Sequence, residues 1–123
     1  MGHSKEAIEF FEIAKRLNPA LGSTAQGSGH YEAFGWAYYM ERRYDDAIAE
    51  LEGALRTSHG DMFVHAGLAA SYAQLDRAED AAREAAAVTR VWPFFRVDTF
   101  ASPFRGEADR LLVVEGLRKA GLK

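Results

Sequence analysis

The chain has 123 residues of which 48% are hydrophobic, one domain's length with enough apolar material for a core, which excludes disorder as its main state. Lys and Arg number 15 against 18 Asp and Glu; the net charge of −3 lacks the basic footprint of nonspecific nucleic-acid binding, so no nucleic acid is expected as a partner. With no cysteine, disulfides, a thiol nucleophile and cysteine-ligated zinc or iron–sulfur sites are excluded. No apolar run approaches the ~20 residues that a membrane span needs. The start, Met1-Gly2-His3-Ser4-Lys5, leads into an amphipathic charged stretch rather than a signal-peptide core, so a soluble, cytoplasmic protein with no membrane contact is expected.

Residues 4–17 read as a helix, with Ala7, Phe11 and Ala14 at spacings of four and three. Asn18-Pro19 ends it, because the residue before a proline is driven out of the α region. Leu21 to Gly29, rich in Gly and Ser, is a loop. Helical periodicity runs from His30 to Met40, breaks at Glu41-Arg42-Arg43 and resumes from Tyr44 to Thr57, ahead of Ser58-His59-Gly60. A further pair spans Asp61 to Gln74 and Asp76 to Val91 and closes at Trp92-Pro93. The 22 alanines, concentrated between Ala47 and Ala87, favour helix and permit close packing, so composition and spacing agree on an all-α chain of antiparallel helix hairpins with short turns.

The same residue types return after 34 positions: Phe34 and Leu68, Gly35 and Ala69, Tyr38 and Tyr72, Ala47 and Ala81. Ala7, Ala47 and Ala81 each stand twelve residues before Pro19, His59 and Pro93. In these positions the chain resembles the tetratricopeptide repeat, a 34-residue helix–turn–helix with the pattern W-x2-L-G-x2-Y, then A-x3-F, then P. Tyr31, Phe34, Gly35, Tyr38, Ala47 and Leu51 carry the pattern in one unit; His65, Leu68, Ala69, Tyr72, Ala81, Ala85 and Pro93 carry it in the next. Ala7, Phe11 and Pro19 supply the second half of an earlier unit. The resemblance divides the single domain, 1–123, into a half repeat at 4–19, full repeats at 28–60 and 61–93, and a capping segment at 94–123. It implies a right-handed superhelix of hairpins, in which Gly35 or Ala69 lets the paired helix approach closely opposite Ala47 or Ala81.

After Pro93 the character changes. Phe94, Phe95, Phe100 and Phe104 crowd a short stretch, followed by a helix from Glu107 to Ala120 with Ala108, Leu111, Val114 and Leu117 along one side and Gly121 as its stop. Such an element caps the open end of a repeat stack. Its ending, Phe104-Arg105, Ala108-Asp109 and Glu115-Gly116-Leu117-Arg118-Lys119-Ala120-Gly121-Leu122, resembles the C-terminus of repeat segments that follow class III adenylate and guanylate cyclase domains, and some winged-helix regulators, in bacteria. Where those relatives open the last helix with Asp-Pro, Gly106-Glu107 stands here.

Residues with chemistry are few. His59-x-Asp61-x3-His65 is the one grouping with metal-ligand types, but it straddles a turn between hairpins, and His65 takes the repeat's large first-helix position. A structural role is expected for it, with no metal and no cofactor. Asp45-Asp46 and Glu79-Asp80 open second helices, where carboxylates complement the helix dipole. No catalytic motif is present, and the chain is expected not to be an enzyme.

Surface recognition remains. With Tyr31, Phe34, Gly35 and Tyr38 inward, the adjoining face of the first helix holds Glu32, Trp36, Tyr39 and Met40, and the equivalent face of the next unit holds Phe63, Ala66, Gly67, Ala70, Ala73 and Gln74. Aromatics opposite an alanine floor suit an apolar anchor of a bound protein or short peptide; they equally suit cementing the two hairpins together. The clamp of Lys, Asn and Arg with which some of these repeats grip a C-terminal carboxylate has no match here. The first helix also carries Phe10 and Ile13, where the later second helices have Glu50 with Gly53 and Glu84 with Ala87, and Leu17 extends the stripe. The expectation is a protein–protein interaction module, a regulatory or scaffolding segment of a larger bacterial signalling protein; the alternative is a homodimer joined through Phe10, Ile13 and Leu17.

Overall fold

The computed structural model describes residues 3–17, 35–57, 62–101 and 106–123. Their regular structure is entirely helical: α1 (His3–Leu17), the described part of α2 (residues 35–40), α3 (Tyr44–Thr57), α4 (Met62–Gln74), α5 (Ala78–Val91), a short α6 (Val97–Ala101) and α7 (Glu107–Lys119). No strand occurs among these residues, and no described helix is long and apolar enough to cross a membrane. The Asn18-Pro19 stop, the loop at 21–29, and Tyr31, Glu32, Phe34, His59, Asp61 and Phe104 lie outside the described residues.

The turns after α2 and α4 have the same construction. Arg42 and Asp76, 34 residues apart, both take the left-handed backbone, with φ of 61° and 60°. The Arg43 amide donates to the Tyr38 carbonyl and the Arg77 amide to the Tyr72 carbonyl, each at 2.9 Å; inside them Arg42 reaches Tyr39 at 2.9 Å and Asp76 reaches Ala73 at 3.0 Å. Paired bonds of this kind satisfy the carbonyls that a helix end leaves open. Side chains repeat as well. Arg43 Nε donates to Asp46 at 2.9 Å and Arg77 Nε to Asp80 at 3.0 Å. Their guanidinium groups lie over the Tyr38 and Tyr72 rings at 4.7 and 4.6 Å. The Tyr38 hydroxyl donates to Glu12 of α1 at 2.9 Å, and that of Tyr72 to Glu52 of α3 at 2.8 Å. One tyrosine thus ties α2 to α1, and the other ties α4 to α3.

Leu51 of α3 fills the closest approach. A Cβ on Gly35 would lie 2.5 Å from Leu51 Cγ, and one on Gly67 of α4 would lie 2.7 Å from Leu51 Cδ1. Gly35 therefore receives Leu51, because a leucine needs the room of a missing side chain on both flanking helices. The central element is α4, buried at Val64 and from Ala66 through Ala73, with α3, α5 and α7 packed around it. A helix enclosed on several sides has no need of a polar face, and α4 lacks one.

Beyond α5 the chain turns at Pro93, forms α6, and lays α7 against α4 and α6. The buried side of α7 is Leu112, Val113, Gly116 and Leu117, not the expected line of Ala108, Leu111, Val114 and Leu117; Leu111 is 61% exposed. The helix is rotated because Gly116 must face α4, where a Cβ would meet the Tyr39 hydroxyl and lie 2.9 Å from Ala70 Cβ. Gly121 ends α7 as expected, at φ 103°, with Leu122 bonded to Leu117 and Gly121 to Arg118, both at 3.0 Å.

Candidate functional site

The face formed by α2 and α4 is built on two aromatic side chains. Trp36 Nε1 donates to the Phe63 carbonyl at 3.3 Å across the two helices. Its ring meets Tyr39 edge-on, with centroids 5.3 Å apart, and Phe100 of α6 at 5.7 Å. Phe100 also meets Phe63 at 5.2 Å and Phe95 at 5.4 Å, the ring planes tilted by 39° and 45°. Trp36, Tyr39, Ala66 and Ala70 are buried, Met40 and Gln74 are partly buried, and Phe63 keeps 43% of its surface exposed.

Tyr39 is the polar hinge of this face. Its hydroxyl donates to the Leu112 carbonyl of α7 at 2.6 Å and accepts from Gln74 Nε2 at 3.2 Å. Burial, opposed by the bond from Gln74, holds the phenol well above its usual pKa, so it stays a donor across the physiological range. Gln74 also donates to Glu115 at 3.0 Å and accepts from Lys119 at 3.4 Å. At the same edge Arg42 shares an open cavity of about 270 Å³ with Ala108, Leu111, Leu112 and Glu115 of α7.

The residues expected on one face, Trp36, Tyr39, Met40, Phe63, Ala66, Ala70 and Gln74, thus belong to two neighbouring helices, and α6 and α7 are seated against them. Glu32 lies outside the described residues. What covers the face was hidden because α6 is too short for a periodic signal. One signal was available: a glycine inside a helical pattern, Gly116, marks a place where another chain segment comes close.

The stripe on α1 is bare, with Phe10 75%, Ile13 52% and Leu17 82% exposed. At the equivalent positions of the later second helices, Glu50 and Glu84 are buried, and Glu84 Oε1 stands 2.7 Å from His65 Nδ1 of α4. A first helix covers this face on α5; among the described residues none covers it on α1. His65 is therefore engaged between α4 and α5, and no group of three His, Cys, Asp or Glu suited to a metal ion occurs among the described residues.

Elsewhere polar side chains tie elements together. Asp80 is held between Arg77 at 2.7 Å and Arg83 at 2.9 Å; desolvation, the largest single effect, raises its carboxyl, and the two guanidinium groups together outweigh it and keep the carboxyl below the usual range. Arg118 reaches Asp98 at 3.1 Å, pinning α7 to α6. No protein-family model matches the chain, and no curated protein or solved structure is significantly similar to it.

Proposed function

We propose that the chain is a protein–protein interaction module of the tetratricopeptide type, a right-handed superhelix of hairpins closed by a capping helix. In this reading it has no enzymatic activity and serves as a regulatory or scaffolding segment of a larger bacterial signalling protein, taking a protein or a short peptide segment as partner. The supporting observation is the return, after 34 residues, of the same left-handed turn with its Arg–Asp and Arg-over-Tyr contacts, each tyrosine also donating to a glutamate of an earlier helix. Repeats of this kind bury one face against their neighbours and leave extended surfaces for recognition.

A second reading, self-assembly, is favoured by Phe10, Ile13 and Leu17, three large apolar side chains side by side in solvent. One experiment separates the two. Benzophenone side chains are placed at Phe10 and at Phe63, and the full chain is irradiated in bacterial extract. Cross-links to a different protein that unlabelled chain competes away support the interaction module, cross-links between copies support self-assembly, and cross-links of neither kind refute both.

A further inference from the structure

The face that α2 and α4 present is filled by α7, and the way α7 sits defines what the face accepts. We infer that this face is a receptor for an amphipathic helix supplied by a partner protein, and that α7 is a resident stand-in which the partner helix displaces. The inference rests on the interaction-module reading. Three contacts carry it.

The first is steric. Gly116 meets the Tyr39 hydroxyl and Ala70 so closely that any Cβ there forces a shift, so the face selects a helix with glycine at its point of closest approach. The second is a bond to main chain. Tyr39 donates to the carbonyl of Leu112 at 2.6 Å, one turn before that glycine, and a hydroxyl aimed at a helix carbonyl recognises helical backbone whatever side chains it bears. The third is a pair of charge-sensing contacts. Gln74 donates to Glu115 at 3.0 Å and accepts from Lys119 at 3.4 Å, with Arg42 lining the cavity beside Glu115 and Asp76 3.9 Å from Lys119.

The ligand pattern follows from Leu112 to Lys119: two apolar residues, a partly buried apolar one at Val114, an acid, the glycine, an apolar residue, then Arg118, which pairs with Asp98 of α6, and a base. Its apolar members, Leu112, Val113 and Leu117, are the buried ones. The Gln74–Glu115 and Gln74–Lys119 contacts lie at the solvent edge, whereas the Tyr39–Leu112 bond is buried, so an incoming helix must restore a carbonyl to Tyr39. Because α7 is covalently attached, its local concentration is on the order of millimolar, and it attenuates any helix offered in trans until it leaves.

The test uses the full chain and, as probe, a fluorescein-labelled peptide of this protein's own residues 107–123. In a Gly116→Val chain the resident α7 no longer seats while the probe keeps its glycine, and the probe is expected to bind at least tenfold more tightly than to the native chain. Equal affinity for both chains, or no binding by a Gly116→Val chain that still unfolds cooperatively, overturns the inference. Should that variant fail to fold, the native chain decides by hydrogen exchange. The α7 amides are expected to exchange faster than those of α4 and faster still with excess probe; protection equal to that of α4 and unmoved by the probe makes α7 a permanent part of the core and overturns the inference. Native dimers that exchange α7 between copies put a second copy, not a foreign helix, on the face and likewise overturn it. Cross-links to a partner confined to α1 overturn this inference alone and leave the interaction-module reading standing.

Discussion

Trp36 shows how one side chain joins three elements. Its indole N–H bridges α2 to the Phe63 carbonyl, and its ring lies against Tyr39 and Phe100. Trp36→Ala is therefore expected to destabilise the fold by about 3–5 kcal/mol, the range for an aromatic lost from a core. Denaturant titration measures it, and an unmoved midpoint would remove Trp36 from the core. Tyr72 supplies a pH dependence. Burial first, then the bond to Glu52, raise its phenol from 10.0 to about 12. The folded state holds that proton more tightly than the unfolded one, so the stability it contributes is complete below pH 10 and is lost as pH rises toward 12. Unfolding midpoints are expected to be flat below pH 10 and to fall above it, with a shallower fall in Tyr72→Phe. The tyrosines themselves were legible as a period of 34, but their partners Glu12 and Glu52 were not. Each lies on a helix 20 or more residues away, at a position the repeat pattern leaves open.

At the scale of elements, one leucine between two glycines holds three helices together. Gly35→Leu is expected to overpack the contact with Leu51 at a cost of about 1–3 kcal/mol. In a Leu51→Ala background the same change should cost markedly less, because the two sites share one volume. The double-mutant cycle reads that coupling, and strictly additive costs would contradict the placement of Leu51 over Gly35. The helices other than α6, the turn at 41–43 and the stop at Gly121 were readable, since each has a local cause in periodicity or glycine; α6 was too short to read, and Asp76, expected to open α5, takes the left-handed backbone of the turn before it. The orientation of α7 was not. Ala108, Leu111, Val114 and Leu117 form a plausible apolar line, and only the tertiary demand that Gly116 face Tyr39 selects the other side.

For the molecule as a whole, α1 leaves an apolar edge facing solvent, and no described residue covers it. Native chain is expected to associate at micromolar concentration and above, and Phe10→Glu/Ile13→Glu to remain monomeric. Light scattering across a dilution series checks both, and a native monomer at high concentration would argue that the edge alone drives no association.

The bonds between Gln74 and Lys119, and between Tyr39 and Leu112, span 45 and 73 residues of chain. During synthesis the chain of α2 and α4 is therefore complete well before the ribosome has added α7. At ordinary elongation rates the interval between Gln74 and Lys119 lasts on the order of seconds. Each nascent chain passes through a period in which Tyr39 and Gln74 have been made while the segment that will bond them has not.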